Sequence, residues 1–166
     1  MLRVDELDLA FLSVTERVES HGLGLHQLVS EELVAVLPME HPLHDRATVR
    51  MAELAQEQFI SFREGARLRE LLTTAGRAAG FEPQIKLESN EARRIRRLVS
   101  RGMGVAILPF SDAVEAGAEV CVATLTEPSL RRDITLAWRQ GRRHSPAAAE
   151  FMALALTLYD SESRAA

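Results

Sequence analysis

The sequence predicts an α/β fold built on parallel strands, and two observations carry that prediction. The first is the stretch 85–109, IKLESNEARRIRRLVSRGMGVAILP, which reads as one complete strand, helix and strand. Ile85 and Leu87 alternate with polar neighbours as in a strand, Ser89 and Asn90 are suited to cap a helix, and Ile95, Leu98 and Val99 recur at helical spacing. Gly102 supplies the left-handed residue that ends the helix, and Val105, Ile107 and Leu108 form a second strand halted by Pro109. That order makes a parallel crossover. The second observation is that further apolar runs read as strands: LDLAFL at 7–12, largely buried, and LVAVL at 33–37, closed by Pro38.

In an open parallel sheet the ligand crevice lies beyond the carboxyl ends of the strands, so Ser89 and Asn90 are expected at a crevice, with the free N–H groups of the following helix behind them. An anion suits such a place.

Composition sets the outer bounds. With 166 residues and 46% apolar content the chain can bury a real core, as one domain or two small lobes. A net charge of −4 and a pI near 5.8 argue against a surface built mainly to hold nucleic acid. Cys121 is the only cysteine, so no intrachain disulfide forms. The start MLRVDELDLA carries charges where a secretion signal needs an apolar core, and no apolar run approaches the roughly 20 residues that span a bilayer. A cytoplasmic chain with no membrane partner is expected.

In chain order, the strand at 7–12 follows only six residues, a start that suggests partner elements supplied elsewhere or removed. TERVESHGLGLHQ, at 15–27, reads as a loop, either bordering a site or a solvated connection. MEHPLHDR after Pro38 is a turn. His41 and His44, with Glu40 and Asp45, have the wrong spacing and a proline between them for two ligands on one helical turn, so a surface turn is expected and no metal.

Val49–Leu54 is a short helical patch, and Phe59, Ile60 and Phe62 form a strand whose end carries Ser61, Phe62, Arg63, Glu64 and Gly65. Ser61 and Glu64 have capping-box spacing, which Gly65 in the first turn weakens. A helix follows with Leu68, Leu71, Leu72, Ala75 and Ala79 as its buried stripe and Gly80 at its end. Strand ends therefore fall at Ser61–Arg63 and again at Ser89–Asn90, pointing at one place. Arg63, the one full positive charge there, either clamps a ligand carboxylate or holds Glu64 or another neighbouring acid.

Arg93, Arg94, Arg96, Arg97 and Arg101 occupy the faces left by Ile95, Leu98 and Val99, with no aromatic residue interleaved for base stacking; a solvated or partner-facing helix is expected. The pair Gly102 and Gly104 fails as a dinucleotide fingerprint, because it precedes a strand and Ile107 stands where the third glycine belongs. Ser111–Ala116 is a brief helix and Val120–Leu125 a strand holding Cys121, read as core filler. Arg131–Arg139 is the last strand, with Ile134, Leu136 and Trp138 on one face. Ser145 caps a helix with Pro146 at its first position and Phe151, Leu154, Ala155 and Leu158 as its stripe, and SESRAA at the end is expected to fray. Hydrolase, zinc-protease and phosphate-loop motifs are missing, which lowers the odds of an enzyme.

These segments in order, LDLAF, EELVAVLPMEHPL, FISFREGARLRELL with AGFEPQIKLES, LVSRGMGVAILP and LRRDITLAWRQGRRHSPAAAEFMALA, resemble the effector-binding domain of LysR-type transcriptional regulators over essentially the whole chain. The resemblance implies the type-2 periplasmic-binding-protein fold, two α/β lobes joined by two crossing strands with a small effector between them. LVAVLP would be the first crossing strand and ITLAWR the return. Residues 38–137 would then form the second lobe, and 1–37 with 138–166 a first lobe lacking its initial strand, helix and strand. Phe11 and Ser13 would enter the cleft from the first lobe, facing Ser61, Phe62, Arg63, Ser89 and Asn90.

Nothing in the chain matches the family's winged helix-turn-helix and linker helix, so DNA would be reached only through that absent part. The resemblance further implies a small-molecule effector, dimerisation through lobe contacts, no cofactor and no catalysis. A stand-alone binding protein of the same fold, and a small enzyme using the same cleft, are the other two classes.

Overall fold

The computed structural model of the chain describes residues 7–14, 22–141 and 143–163, with side chains at all of these but 14 and 160–163. The chain divides into two compact units, residues up to Ser30 with those from Arg132 onward, and Glu31–Arg131.

The second unit is organised by a sheet whose strands carry apolar residues on both faces. β2 (Leu23–Leu37) enters it with Leu33, Val34, Ala35, Val36 and Leu37, all at most 2% exposed. Leu33, Ala35 and Leu37 pack in one cluster and Val34 and Val36 in another, because successive strand side chains point to opposite faces. β6 (Ala106–Pro109) pairs antiparallel with one edge of this segment, Val34 opposite Leu108, and β7 (Cys121–Thr126) pairs antiparallel with the other, Val34 opposite Thr124. β3 (Thr48–Arg50), which runs into a single 3-10 turn at Met51–Leu54, lies parallel to β7.

Beyond β6, β4 (Gln58–Ser61) and β5 (Gln84–Glu88) pair in parallel. Val105 joins them to the rest: its N–H donates to the Gln58 carbonyl (2.9 Å) and its carbonyl accepts the Ile60 N–H (2.8 Å), a parallel bridge with Phe59. β5, β4 and the strand leading into β6 are thus parallel, as the crossover predicted, with β4 inserted between the two strands the crossover connects. α1 (Arg67–Ala78) packs Leu72 and Ala75 on the face that holds Phe59. α2 (Ala92–Val99) packs Ile95 and Val99, both fully buried, on the face that holds Ile60, with Ala113 of α3 (Phe110–Val114). Leu72, Ile95 and Val99 each contribute about 1.5–3 kcal/mol by leaving water.

In the first unit β1 (Leu9–Val14) pairs antiparallel with β8 (Leu130–Arg139), Leu9 opposite Trp138 and Ser13 opposite Ile134, and β8 neighbours β2. Leu136 and Leu28 pack with Ala155 of α4 (Pro146–Ser163), while Ala137 and Leu23 pack with Leu12 in a separate cluster.

Several expectations are corrected. The units part within β2 and β8 at Ser30/Glu31 and Arg131/Arg132, upstream of the 37/38 and 137/138 boundaries, because LVAVL is core of the second unit and the polar residues before it make the crossing. β1 begins two residues later than expected and is not largely buried: among the described residues it has only β8 as a strand neighbour, and Phe11 is 53% exposed. Leu23–Gln27 is strand and not loop, while 15–21 lie outside the described residues. The glycine that suggested a loop serves close packing, since a Cβ at Gly24 would lie 2.2 Å from the Trp138 ring.

Ser61 and Glu64 form no capping box: α1 starts at Arg67 with Ala66 as its N-cap, and Gly65 takes a positive φ of 82°. α2 starts at Ala92, and Ser89 instead accepts the Glu91 N–H on Oγ at 3.1 Å. Arg96 is 3% exposed, not solvated like its neighbours on α2. His41 is buried too, its Nδ1 accepting the Leu43 N–H at 3.1 Å, so the turn has an inward side. α3 begins at Phe110 and stops at Val114, earlier than the predicted 111–116.

Ser145 does cap α4, its Oγ accepting the Ala148 N–H at 3.3 Å. The buried stripe is rotated, however: Ala148, Met152, Ala155, Leu156 and Tyr159 face inward, whereas Phe151, Leu154 and Leu158 are about half exposed. Phe151 meets Phe11 edge to face at 6.0 Å. The helix continues to Ser163, through half of the segment expected to fray.

Gly104 controls the Val105 bridge. It has φ 147°, and a Cβ there would meet the Gln58 carbonyl oxygen at 2.4 Å. Gly104→Ala is expected to cost about 3 kcal/mol, from strained backbone and a contact that backbone must yield to, measurable as a lowered urea midpoint. An unchanged midpoint would show that the bridge does not fix this junction.

Candidate functional site

Three parallel strands that share an edge end together, and what stands at their ends follows from the register. β4 stops at Ser61, paired with Glu88 near the end of β5. One residue further the backbone contact continues, the Ser89 N–H donating to the Ser61 carbonyl at 3.0 Å. The structure therefore brings Ser61, Phe62, Arg63, Ser89 and Asn90 together at one sheet edge, the five that strand-end reasoning placed there. Phe11 and Ser13 lie on β1 in the other unit, both exposed.

The five differ in their surroundings. Ser61 is 5% exposed and Phe62 is half-buried against the cluster of Ile60 and Ile95. Ser89 is half-buried with its hydroxyl engaged by the Glu91 N–H. Arg63 and Asn90 are exposed. The Arg63 carbonyl accepts the Ala66 N–H at 3.1 Å, a turn that leaves the Arg63 side chain ahead of α1. Among the described residues the Arg63 guanidinium forms no hydrogen bond or ion pair. The reading in which it holds Glu64 or another acid is therefore not realised.

Two acids nearby are committed elsewhere. Glu88 pairs with Arg69 at 3.0 Å and Glu91 with Arg94 at 3.0 Å. Arg69 also donates to the Phe62 carbonyl at 3.4 Å, so one guanidinium ties the first turn of α1 to both strand ends. Such half-exposed pairs add little stability, about 0–1 kcal/mol, and act chiefly by fixing position. With Glu88 and Glu91 paired, Arg63 and the exposed Glu64 beside it are the charges left at these strand ends, and they form no ion pair with each other.

Sequence reasoning missed Arg69 and the end of β6. Because that strand runs parallel to β4, Pro109, Phe110 and Ser111 close it at the same edge; Phe110 is 50% exposed and the Ser111 N–H donates to Glu31 at 2.7 Å. The signal was available, since Pro109 ended a strand that the same crevice rule governs.

Cys121 is not at this edge. Its thiol lies 3.4 Å from the Met39 sulfur, and burial, with the charges of Asp45 and Glu40 adding to it, pushes the thiol pKa up. The thiolate is the reactive form. Cys121 is therefore expected to react with iodoacetamide at neutral pH more slowly than a free cysteine peptide, its rate rising only above the ordinary thiol range. Faster alkylation than the peptide would reverse this assignment.

Comparison with known proteins agrees with this architecture. The sequence model described as the LysR substrate binding domain matches residues 1–159. The chain is 33% identical over 151 residues to the transcriptional dual regulator GltC of Bacillus subtilis, covering 90% of this chain and 50% of that protein. It is 35% identical over 149 residues to the HTH-type transcriptional regulator YnfL of Escherichia coli, covering 87% of this chain and 49% of YnfL. The chain thus spans about half the length of the curated relatives it matches. Among solved structures, the effector binding domain of QuiR in complex with shikimate superposes with a TM-score of 0.80 at 28% identity, over 96% of this chain and 75% of that one. The Synechocystis CcmR regulatory domain in complex with 2-PG gives a TM-score of 0.82 at 21% identity, over 95% and 76% of the two chains, a likeness of fold.

Proposed function

Because this chain belongs to the LysR substrate-binding domain family, which has the type-2 periplasmic-binding-like fold, we propose that it senses a small anionic metabolite at the edge formed by Ser61, Phe62, Arg63, Ser89 and Asn90. The observation that carries this reading is the Arg63 guanidinium, exposed and without an ion pair among the described residues, beside two strand ends whose acids Glu88 and Glu91 pair with Arg69 and Arg94. A guanidinium presents paired N–H donors that match a carboxylate or phosphate, and the hydroxyl and amide groups beside it add orientation. Phe62 supplies an apolar wall.

In this reading the domain binds and does not turn over its ligand. The effector acts by favouring one arrangement of the regulator over another, to the extent that its affinities for the two differ. DNA contact belongs to a part of the regulator that these residues do not include, the setting is the cytoplasm, and the functional state is a homodimer.

A thermal-shift screen of small carboxylates and phosphate esters, with shikimate and 2-PG among them, identifies a working ligand, and calorimetry measures it. Arg63→Gln is expected to weaken that ligand by about tenfold or more, the factor of one hydrogen bond to a charged group, while leaving the unfolding temperature unchanged because the side chain supports nothing else. Unchanged affinity would exclude the clamp.

A further inference from the structure

The arginines of α2 form a second feature, which shares no residue with the strand-end cluster. Arg93, Arg97 and Arg101 follow one another at four-residue spacing, and Arg96 stands beside them, so all four fall on one side of the helix and its C-terminal turn. Like charges at that spacing disfavour a helix by a few tenths of a kcal/mol per pair. The stripe is not explained by helix stability.

It lines a broad open pocket of about 850 Å³ whose opposite wall is the 116–119 loop, with Met39 and Glu40. Four guanidiniums there stand against two carboxylates, Glu40 and Glu119. Arg93 is engaged by Glu115, whose carboxyl is held below its usual range chiefly by that hydrogen bond. Arg97 and Arg101 are exposed and have no ion pair or side-chain hydrogen bond among the described residues.

Arg96 is the decisive member. A charge taken from water needs compensation; among the described residues this guanidinium, 3% exposed, makes one hydrogen bond, to the Asp112 carbonyl at 3.2 Å, and shares with Arg93 the charge of Glu115. Its other N–H donors are left for whatever fills the pocket it lines. Gly117, with φ 127°, runs beside it: a Cβ there would sit in van der Waals contact with the guanidinium at 3.8 Å, which places Arg96 against the loop that lines the pocket.

We propose that this pocket binds a small phosphorylated metabolite, its phosphate held by Arg96, Arg97 and Arg101. A phosphate group offers the several acceptor oxygens and the charge that converging guanidiniums require. The site is independent of the strand-end reading and stands or falls without it.

The test uses the whole chain and inorganic pyrophosphate as probe, by calorimetry at ionic strength held constant with sodium chloride. Measured in an Arg63→Gln background, which removes the strand-end guanidinium as a competing anion site, saturable one-site binding is expected. Arg97→Gln with Arg101→Gln should weaken it by about tenfold or more. Arg94→Gln, at an arginine of α2 that pairs with Glu91 and does not line the pocket, should leave it unchanged. Both pocket substitutions are at exposed positions, and an unchanged unfolding temperature certifies the double variant as folded. Lack of saturable binding in that background, or equal loss in the Arg94 variant and the pocket variant, would each overturn the proposal.

Discussion

Coverage of the second unit's sheet on both faces is the constraint from which the rest of its structure follows. Leu33, Ala35 and Leu37 serve one core while Val34 and Val36 serve the other, and β6 and β4 repeat the division, Val105 and Phe59 against Ala106 and Ile60. A strand so placed has no solvent face, and its polar side chains can stand only at its ends. That is why the hydroxyl, amide and guanidinium groups of the chain's middle third collect beyond Ser61 and Glu88. Register does the remainder: the Val105 bridge makes β4 parallel to the strand it joins, and parallel strands finish on the same edge.

How much of this could be read in advance depended on whether a residue's surroundings are local. LVAVL and VAILP announce strands because their apolar runs are too short for helices and end in proline. The strand-end cluster was legible for the same reason, since the position of a strand's end is itself a local fact. Gly24 misled, because the reason for it is the Trp138 ring, more than a hundred residues away. Along α4 the periodicity is sound but ambiguous. Ala147–Leu158 is apolar almost all round, so both the stripe of Phe151, Leu154 and Leu158 and the stripe of Ala148, Met152 and Ala155 fit a helix. Met152, Leu156 and Tyr159 pack inward with Ala155, so residue size does not choose between the two stripes. Nothing in the order of residues marks Arg96 as buried while Arg97 is exposed; the difference arises from α3 and the Asp112 carbonyl, which the sequence does not place.

The charge balance carries a related lesson. A net charge of −4 argues correctly that the whole surface is not built for polyanions, yet it says nothing about a side of one helix. Some acids are spent locally, Glu88 on Arg69, Glu91 on Arg94 and Glu115 on Arg93. Among the described residues Arg63, Arg97 and Arg101 are left without an ion pair. Pairing, not composition, decides where an anion is attracted.

Both cationic places border α2, one before its first turn and one along its side and C-terminal end, which raises the question of coupling between them. Coupling requires an element with two arrangements that each ligand biases differently. α2 is a poor candidate for movement by itself. Ile95 and Val99 are fully buried against the sheet, and packed interiors resist continuous displacement. Sliding the helix would expose two aliphatic side chains at about 1.5–3 kcal/mol each, against a typical coupling free energy of about 1–3 kcal/mol. On the two proposed readings the second unit is a rigid platform, and α2 itself does not couple the strand-end cluster to the pocket.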